Sequence, residues 1–440
     1  MVDAVVKLVC GLYALAHRKT FRAARPLEGN AAHMDADDRY WWGYKYLWGP
    51  VEREEPGSGL EAYFDGQDLD FAPRDGFAET AGMTLCAGGD ILAHAGLNPG
   101  TTASLWDDVR GFYFSGDLAY ANLESPVAPS MPPRYLPASI MEHGGMNNTV
   151  AMLERVVEGG KGIGFFSTAN NHCLDMGEAG LLETLDVLDE RGYPHVGTSR
   201  SAAERDAVAM VERGGVKVAF VSWTFSLNWG VLPEGREYLA NYARINRPDT
   251  DIRAIAEQVE AARASGADAV VGLFHWGAEF ESYPARNMVS MGHRLMELGI
   301  DVIIGNHPHN AQPMERYAYT DGRGARREGL ILYALGDLLS IHRTLPDSRL
   351  GCLARIRVSK GEADGARSVR ITSLEVLPTY LYVKKARGEC VDYRVLDFRK
   401  LVADLRAGRD GLGIGSAERR EIFRLEALMR RVLRAALRVS

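Results

Sequence analysis

The sequence lacks the cysteine pairs, long apolar runs and excess positive charge that mark several large classes of protein. Its 440 residues include five scattered cysteines with no C-x-x-C pair, which argues against a zinc ribbon or a disulfide framework. No run approaches the roughly 18 apolar residues that a membrane-spanning helix needs. A net charge of -7 argues against non-specific nucleic-acid binding, which usually requires a basic surface. We therefore expect neither a nucleic-acid partner nor a transmembrane segment.

The start of the chain carries a weak export signal at most. Leu8 to Ala16 is apolar, but a single positive charge, Lys7, precedes it and Asp3 offsets that charge. A secretory signal has a more basic beginning and small residues at its cleavage site. We predict a cytoplasmic protein, with peripheral attachment to the membrane as the alternative.

The chain divides into three predicted parts. Residues 1–80 form an aromatic-rich extension, 81–380 the main domain and 381–440 a helical C-terminal extension. The aromatic cluster Tyr40 to Trp48 either packs its rings on the main domain, which we favour, or stacks on a sugar or partner protein. The basic amphipathic stretch Ser416 to Arg438 likewise either packs on its own domain, which we favour, or contacts a membrane or polyanion.

Between these extensions, short apolar runs alternate with longer amphipathic ones. The alternation predicts an α/β protein in which helices flank a central sheet. The predicted strands are Thr84–Ala87, Leu118–Asn122, Ile163–Phe166, Val216–Phe225, Ala269–Phe274, Val302–Ile304, Leu330–Leu335, Leu353–Val358 and Val369–Leu377. The predicted helices are Thr149–Glu158, Glu178–Glu190, Ile252–Ala264 and Asn287–Leu298.

Polar residues suited to metal binding stand where these predicted strands end. Residues beyond the carboxyl ends of strands in an open α/β sheet converge on one crevice. We therefore predict one metal centre that draws its ligands from six residues: Asp90, Glu124, Asn171, His275, His307 and His309. This mixture of oxygen and nitrogen donors suits one or two divalent ions of Mn, Fe, Zn or Mg, and the absence of thiolate ligands disfavours a structural zinc site.

A proton donor is also predicted beside these ligands. Two metal ions can share a bridging carboxylate, and a nearby histidine that is not a ligand can protonate a leaving group. We assign this role to His172, oriented by Asp175. Cys86 and Cys173 also lie close to the predicted site in sequence, and we interpret them as buried packing residues.

Each of these residues also has a simpler explanation. Asp90 after two glycines could be a turn residue, Glu124 could cap a loop, and His275 could be a satisfied core histidine. The motif Asn170-Asn171-His172 is more specific because paired amides are poor in strand interiors. His307-Pro308-His309 is more specific again because proline fixes the backbone between the two imidazoles.

The order of the motifs resembles the CapA family, which carries the PGA_cap domain and is named for poly-γ-glutamate capsule synthesis. The family's fold is similar to that of the calcineurin-like metallophosphoesterases, and the resemblance spans roughly Thr84 to Ser340. It rests on seven motifs: Gly89-Asp90, Ala121 to Pro126, Ala169 to Gly177, Val196-Gly197, His275 to Glu279, Gly305 to His309 and Tyr333 to Asp337. It implies a metallophosphoesterase-like β-sandwich between helices, a four-layer α/β/β/α arrangement.

The resemblance also implies a role for each candidate residue. Asp90 and His309 would bind a first metal, Glu124 would bridge, and Asn171, His275 and His307 would bind a second. Contacts with substrate are predicted for Asn122, Asn170, Trp276 and Glu279. Two positions depart from the pattern, because Leu92 replaces a metal-binding imidazole and Asp337 adds a carboxylate near the site.

Two functions follow as expectations. The first is a metal-dependent hydrolase with phosphoesterase-type chemistry, linked to capsule or poly-γ-glutamate metabolism and acting on a small molecule or an anionic polymer. The second is a non-catalytic accessory protein for synthesis, tethering or export of such a polymer, working with capsule-synthesis proteins. A purely structural module is disfavoured because polar groups are costly to bury together without ligands.

Overall fold

The computed structural model describes residues 2–17, 23–25, 30–135, 145–321, 324–340, 345–363 and 365–439. The strands are β1 (Ala78–Ile91), β2 (Leu118–Leu123), β3 (Phe165–Ser167), β4 (His195–Val196), β5 (Ala209–Arg213), β6 (Val216–Thr224), β7 (Ala269–His275), β8 (Val302–Asn306), β9 (Met314–Thr320), β10 (Arg326–Leu332), β11 (Asp337–Leu339), β12 (Leu350–Ala363), β13 (Ala366–Ala386) and β14 (Glu389–Asp397). The helices are α1 (Val2–Ala16), α2 (Ala36–Trp48), α3 (Leu60–Asp65), α4 (Arg110–Tyr113), α5 (Val150–Val157), α6 (Gly177–Glu190), α7 (Ala202–Asp206), α8 (Arg253–Ala264), α9 (Arg286–Glu297), α10 (Phe398–Arg406), α11 (Ser416–Val432) and α12 (Arg434–Leu437).

The strands form two mixed sheets, so the expected α/β class is confirmed. The first sheet has the order β14-β13-β12-β1-β2-β3-β4, with β11 paired to β1, and the second has the order β5-β6-β7-β8-β10-β9. In the first sheet β1, β2, β3 and β4 are parallel, while β12, β13 and β14 add antiparallel strands. In the second sheet β6, β7, β8 and β10 are parallel, with β5 and β9 antiparallel at its edges.

The two sheets pack against each other through a shared hydrophobic core. Phe165 of β3 and Phe220 of β6 meet across the interface with ring centroids 4.3 Å apart. Alternate residues of β1 face opposite sides of the first sheet. Leu85 belongs to the core between the sheets, whereas Cys86 belongs to a second cluster that includes residues of α5 and α6. This alternation is the period of two that an extended strand imposes.

The second sheet is also covered by helices. Residues of α8 and α9, among them Ile255 and Leu295, belong to the same core as β7 and β8. All seven residues of β7 are buried, which is typical of an interior strand in a parallel sheet. The predicted strands and helices all coincide with observed elements, with boundaries that differ by several residues.

Both terminal segments contact the main body. Trp41 of α2 is fully buried, and Ile422 and Leu425 of α11 lie in the main core. Arginines on α11 form ion pairs, such as Arg431 with Glu52. Packing on the chain's own body, the explanation favoured from the sequence for both segments, is therefore confirmed. No helix among the described residues has the length and apolar character needed to cross a bilayer.

Candidate metal centre

The six predicted metal ligands come together between the two sheets, where strands of both end. Asp90 lies near the end of β1, Glu124 directly follows β2, and Asn171 follows β3 in the first sheet. His275 ends β7, while His307 and His309 follow β8 in the second sheet. All six are at most 2% exposed. The carboxyl ends of the parallel strands therefore deliver these side chains to one buried volume.

Asp90 is held by two hydrogen-bond donors. The Asn122 side-chain amide donates to Oδ1 at 2.7 Å, and the backbone N–H of His307 donates to Oδ2 at 3.0 Å. Burial raises the pKa of Asp90 to about 6, although the charge of His309 opposes that shift. The carboxylate is thus well oriented but poorly compensated, which is a suitable state for a metal ligand.

Glu124 and His307 carry buried polar atoms that no described residue satisfies. Neither oxygen of Glu124 and neither ring nitrogen of His307 has a hydrogen-bond partner among the described residues, although Glu124 Oε1 lies 3.2 Å from His275 Nε2. Burial raises the pKa of Glu124 well above the usual value for a glutamate. It lowers the pKa of His307 well below the usual value for a histidine. Each unsatisfied buried group costs about 1–3 kcal/mol, and a divalent cation between them would remove that cost.

His275 is fixed in one tautomer by its neighbours. Asn122 Nδ2 lies 3.2 Å from His275 Nδ1 and acts as the donor, so the ring proton is on Nε2, which lies 2.9 Å from Asn171 Oδ1. Burial lowers the pKa of His275 well below its ordinary value. The imidazole is therefore neutral, and a metal bound at Nε2 would displace the ring proton that Asn171 now accepts.

His309 lies among carboxylates. Its Nδ1 is 2.8 Å from Asp337 Oδ1 and 3.8 Å from Asp90 Oδ2, while its Nε2 is 3.7 Å from Glu279 Oε1. Burial alone would lower the pKa of His309, but the charges of Asp337 and Glu124 raise it well above the ordinary value. In the absence of a metal, His309 is thus the cation that balances this acidic cluster.

The backbone that presents the two histidines is unusual. His307 and His309 have φ angles of 99° and 58°, a region that residues other than glycine rarely adopt. Such conformations cost about 1–3 kcal/mol each and persist where the surroundings determine them. The turn around Pro308 thus points both imidazoles into the site at some conformational cost.

Three groups of donor atoms in the site are close enough to hold an ion, with all the atoms of a group within 4.8 Å of one another. The groups are Glu124, His307 and His309; Asp90, Glu124 and His275; and Asp90, His309 and Asp337. Asp90, Glu124 and His309 each occur in two of these groups, so the groups overlap in one cluster. The donors are oxygen and nitrogen alone, a set that fits Mn, Fe, Zn or Mg.

The two cysteines near the site take no part in it. Cys173 is buried beside Leu227 and Ala240, and Cys86 lies in the second hydrophobic cluster. Burial raises the pKa of Cys173 to about 12 and that of Cys86 to about 11. Both thiols are therefore protonated packing residues, as the sequence indicated.

His172 stands at the rim of the buried donors. Its side chain is 20% exposed, and its Nδ1 lies 2.7 Å from Asp175 Oδ2. The same carboxylate oxygen accepts the backbone N–H of Met146 at 2.6 Å. Asp175 is thus fixed from both sides, and His172 can exchange its proton with solvent while keeping its orientation.

Three of the four predicted substrate contacts are placed unfavourably for that role. Asn122, Asn170 and Trp276 are each at most 1% exposed. Asn122 orients Asp90, Asn170 donates to the carbonyl of Leu123 at 2.8 Å, and the Trp276 indole donates to the carbonyl of Tyr333 at 3.0 Å. Because their hydrogen bonds are already made within the protein, we propose that they support the site instead of binding substrate.

Glu279 remains a candidate for substrate contact, and the N-terminal segment lies against it. The Glu279 side chain is 16% exposed, and the indole N–H of Trp42 in α2 donates to it. Burial alone would raise the pKa of Glu279, but the neighbouring His309 and the hydrogen bond from Trp42 hold it at about 2. Phe280 stacks on His309 with ring centroids 5.7 Å apart, which completes a wall of aromatic and acidic groups.

Two further residues lie at the site without a role assigned from the sequence, although the motifs had already placed Asp337 near it. Asp337, the first residue of β11, brings a third carboxylate beside Asp90 and His309, and it carried the same signal as the others because it follows the apolar run Leu330 to Leu335. Asn228 accepts from Asn171 Nδ2 at 3.3 Å and lies 3.5 Å from His172. It stands in a loop after β6, where the sequence offered no comparable signal.

The sequence from residue 84 to residue 341 matches the family described as bacterial capsule synthesis protein PGA_cap. This segment is more than half of the 440-residue chain and contains every residue of the candidate metal centre. The chain belongs to the PGA_cap family. The resemblance to CapA drawn from the motifs is thereby confirmed.

Individual PGA_cap relatives agree with this assignment. The "Capsule biosynthesis protein CapA" of Bacillus anthracis is 24% identical over 267 residues, which are 59% of this chain and 60% of that protein. A "Probable polyglutamine synthesis accessory protein" of Mycobacterium tuberculosis H37Rv is 32% identical over 181 residues, covering 39% of this chain and 43% of that protein. The matches thus span less than two thirds of these relatives.

Among solved structures, a hypothetical protein from Thermus thermophilus aligns with a TM-score of 0.36 and 16% sequence identity. The alignment covers 66% of this chain and 98% of the other. A TM-score at this level is too low to support an assignment, so the family membership depends on the sequence match.

Proposed function

We propose that this PGA_cap protein is a metal-dependent hydrolase with phosphoesterase-type chemistry that acts in capsule or poly-γ-glutamate metabolism. The observation that carries the proposal is the set of unsatisfied buried atoms on Glu124 and His307, surrounded by further carboxylate and imidazole donors. The facing sheets with helices outside them support a four-layer α/β/β/α architecture of the metallophosphoesterase type.

In this proposal the donors divide between two ions. Asp90 and His309 would hold the first, while Asn171, His275 and His307 would hold the second, with Glu124 between them. Divalent ions bound there would polarise the scissile bond and offset the negative charge that develops during hydrolysis. The surrounding protein keeps the three imidazoles and the carboxylates buried, which strengthens their interaction with any cation.

His172 would supply the proton that the leaving group needs. Its Nδ1 is held by Asp175 at 2.7 Å, which leaves Nε2 as the atom that gives its proton to the departing oxygen. A positioned general acid of this kind contributes roughly 10²–10⁴-fold to the rate. Glu279, at the wall formed with Trp42, would help to position the substrate.

The test compares substitutions in two similar His–Asp pairs. His172→Asn removes the proposed acid, and His195→Asn alters a pair with Asp189 whose atoms lie 3.1 Å apart outside the site. With added Mn²⁺ and a panel of phosphomonoester, phosphodiester and peptide substrates, we expect roughly a 10²–10⁴-fold loss of kcat for the first variant and little change for the second. Unchanged turnover by His172→Asn of every substrate that the wild type accepts would refute the acid role.

A second candidate is an accessory function without catalysis. The name of the Mycobacterium tuberculosis relative, a polyglutamine synthesis accessory protein, favours it, and a metal could position polymer carboxylates without hydrolysis. Deletion of the gene followed by expression of His172→Asn separates the two candidates. Full restoration of the capsule by the variant would support the accessory function, whereas failure by a folded, metal-loaded variant would support catalysis.

We also propose the cellular setting and the division of the chain. Capsule-synthesis proteins would be its partners, and it would act in the cytoplasm or at the membrane surface. Residues 81–380 would form the functional domain with extensions on either side, although β13 (Ala366–Ala386) continues across residue 380. Co-purification with a tagged bait chain, followed by fractionation of membranes, would test the setting.

A further inference from the structure

The first of the two proposed ions has few ligands if the six predicted residues are the whole set. Asp90 and His309 alone would hold it, with Glu124 shared between the ions. Position 92, two residues beyond Asp90, is Leu92, which is fully buried in a cluster with Ala93 and Met146. An apolar side chain supplies no donor, so another residue has to complete this half of the site.

Asp337 has the position that such a ligand requires. β11 pairs in parallel with β1, and the pairing sets Asp337 directly opposite Asp90. Its Oδ1 lies 2.8 Å from His309 Nδ1, and ligand atoms from Asp90, His309 and Asp337 lie within 4.8 Å of one another. One ligand atom from each of these three residues could therefore contact the same ion.

The local backbone fixes this arrangement closely. Gly336 has a φ of 74°, and a Cβ at Gly89 would come within 1.8 Å of the Gly336 carbonyl oxygen. That carbonyl accepts the backbone N–H of Asp90 at 3.1 Å. The two glycines thus let β1 and β11 approach until their aspartates share one volume.

Burial of this carboxylate pair also calls for a cation. The side chains of Asp90, His309 and Asp337 are 0%, 1% and 0% exposed. Two carboxylates and one imidazole carry more negative than positive charge, and nearby Glu124 has both oxygens unsatisfied among the described residues. A buried excess of negative charge is stable when it is neutralised by protons or by a metal ion.

We propose that Asp337 is a direct ligand of the ion held by Asp90 and His309, and that it completes this half of the site in place of residue 92. The inference rests on the proposed function, since it assumes that the site binds metal. It goes further by assigning one more ligand and by giving the first ion three protein side chains of its own. Asp337 would then decide whether the protein holds one ion or two.

The test measures bound metal rather than turnover. Asp337→Asn keeps the shape of the side chain and removes its charge, and Asp347→Asn makes the same change at another aspartate, which is 1% exposed and bonded to Arg424 outside the site. Each protein is dialysed against Mn²⁺, and its metal content is measured by mass spectrometry and its affinity by calorimetry. We expect two ions per chain in the wild type and in Asp347→Asn, and one in Asp337→Asn.

Crystals loaded with Zn²⁺ give a second measurement. An anomalous-scattering map should place one ion about 2.0–2.2 Å from an Asp337 oxygen, the usual zinc–carboxylate distance. A wild type that binds two ions while Asp337→Asn binds both with unchanged affinity would overturn this inference alone. An ion farther than about 3 Å from Asp337 would also overturn it and leave Asp337 as a residue that orients His309. A wild type that binds no metal would overturn the proposed function as well.

Discussion

The buried ion pair between Lys45 and Glu281 gives a quantitative test of how the N-terminal segment is held. Lys45 Nζ lies 2.8 Å from Glu281 Oε1, and the two side chains are 0% and 1% exposed. In Lys45→Met the Glu281 carboxylate keeps its hydrogen bond from the indole N–H of Trp41, which lies 3.3 Å from Oε1. It loses the positive charge of Lys45. Breaking a buried pair from one side typically costs about 3–5 kcal/mol, and we expect a loss of that size in the free energy of unfolding.

The loss should depend on pH in a defined direction. Burial already raises the pKa of Glu281 above its ordinary value, although Lys45 opposes the shift. Without Lys45 the folded-state pKa rises further above that of the unfolded chain. A raised folded-state pKa means that stability is kept at low pH and lost as pH rises through that value. The deficit of Lys45→Met should therefore be small near pH 5 and largest near pH 8.

Guanidinium unfolding at the two pH values measures this directly. The double variant Lys45→Met/Glu281→Gln should recover part of the loss and lose most of its pH dependence, since neither charge of the pair remains. Lys400→Met is a matched control, because Lys400 pairs with Asp108 while its side chain is 61% exposed, and exposed pairs contribute about 0–1 kcal/mol. A deficit below about 1 kcal/mol at pH 8, or an equal deficit at both values, would refute the reasoning.

Three further predictions concern the site itself. Chelation should lower the melting temperature and Mn²⁺ should restore it, because an ion at 100 times its Kd stabilises by about 2.7 kcal/mol; differential scanning fluorimetry checks this. Gly89→Ala should abolish metal binding measured by mass spectrometry, since its Cβ would lie 1.8 Å from the Gly336 carbonyl oxygen. Trp276→Phe should cost about 1–3 kcal/mol in denaturant unfolding by leaving the Tyr333 carbonyl without its donor, with KM unchanged, whereas a raised KM would support Trp276 as a substrate contact.

The sequence indicated the candidate metal donors because their signal is local. A run such as Val302 to Ile304 followed by His307 and His309 can be recognised without knowledge of the fold, and parallel strands place such endings at one edge of a sheet. The same logic explains why the long apolar strands were predicted. Neither of these signals depends on a contact between distant segments.

The features that could not be predicted from the sequence depend on contacts between distant segments. β11 has three residues and forms by pairing with β1, far away in the chain, so no periodicity marks it. The contact of Trp42 with Glu279 joins segments 237 residues apart. Trp276 illustrates the same limit, because an aromatic residue beside a candidate ligand looks the same in sequence whether it faces a substrate or, as here, the core.

The donors of the candidate metal centre are divided between two sheets, and this division has a mechanical consequence. Glu124 follows a strand of one sheet while His275 ends a strand of the other. Any ion that both of them bind would act as a removable cross-link between the two halves of the molecule. Separation of the sheets would then require release of the ion, so slow amide hydrogen exchange in β2 and β7 should accelerate together when the metal is removed.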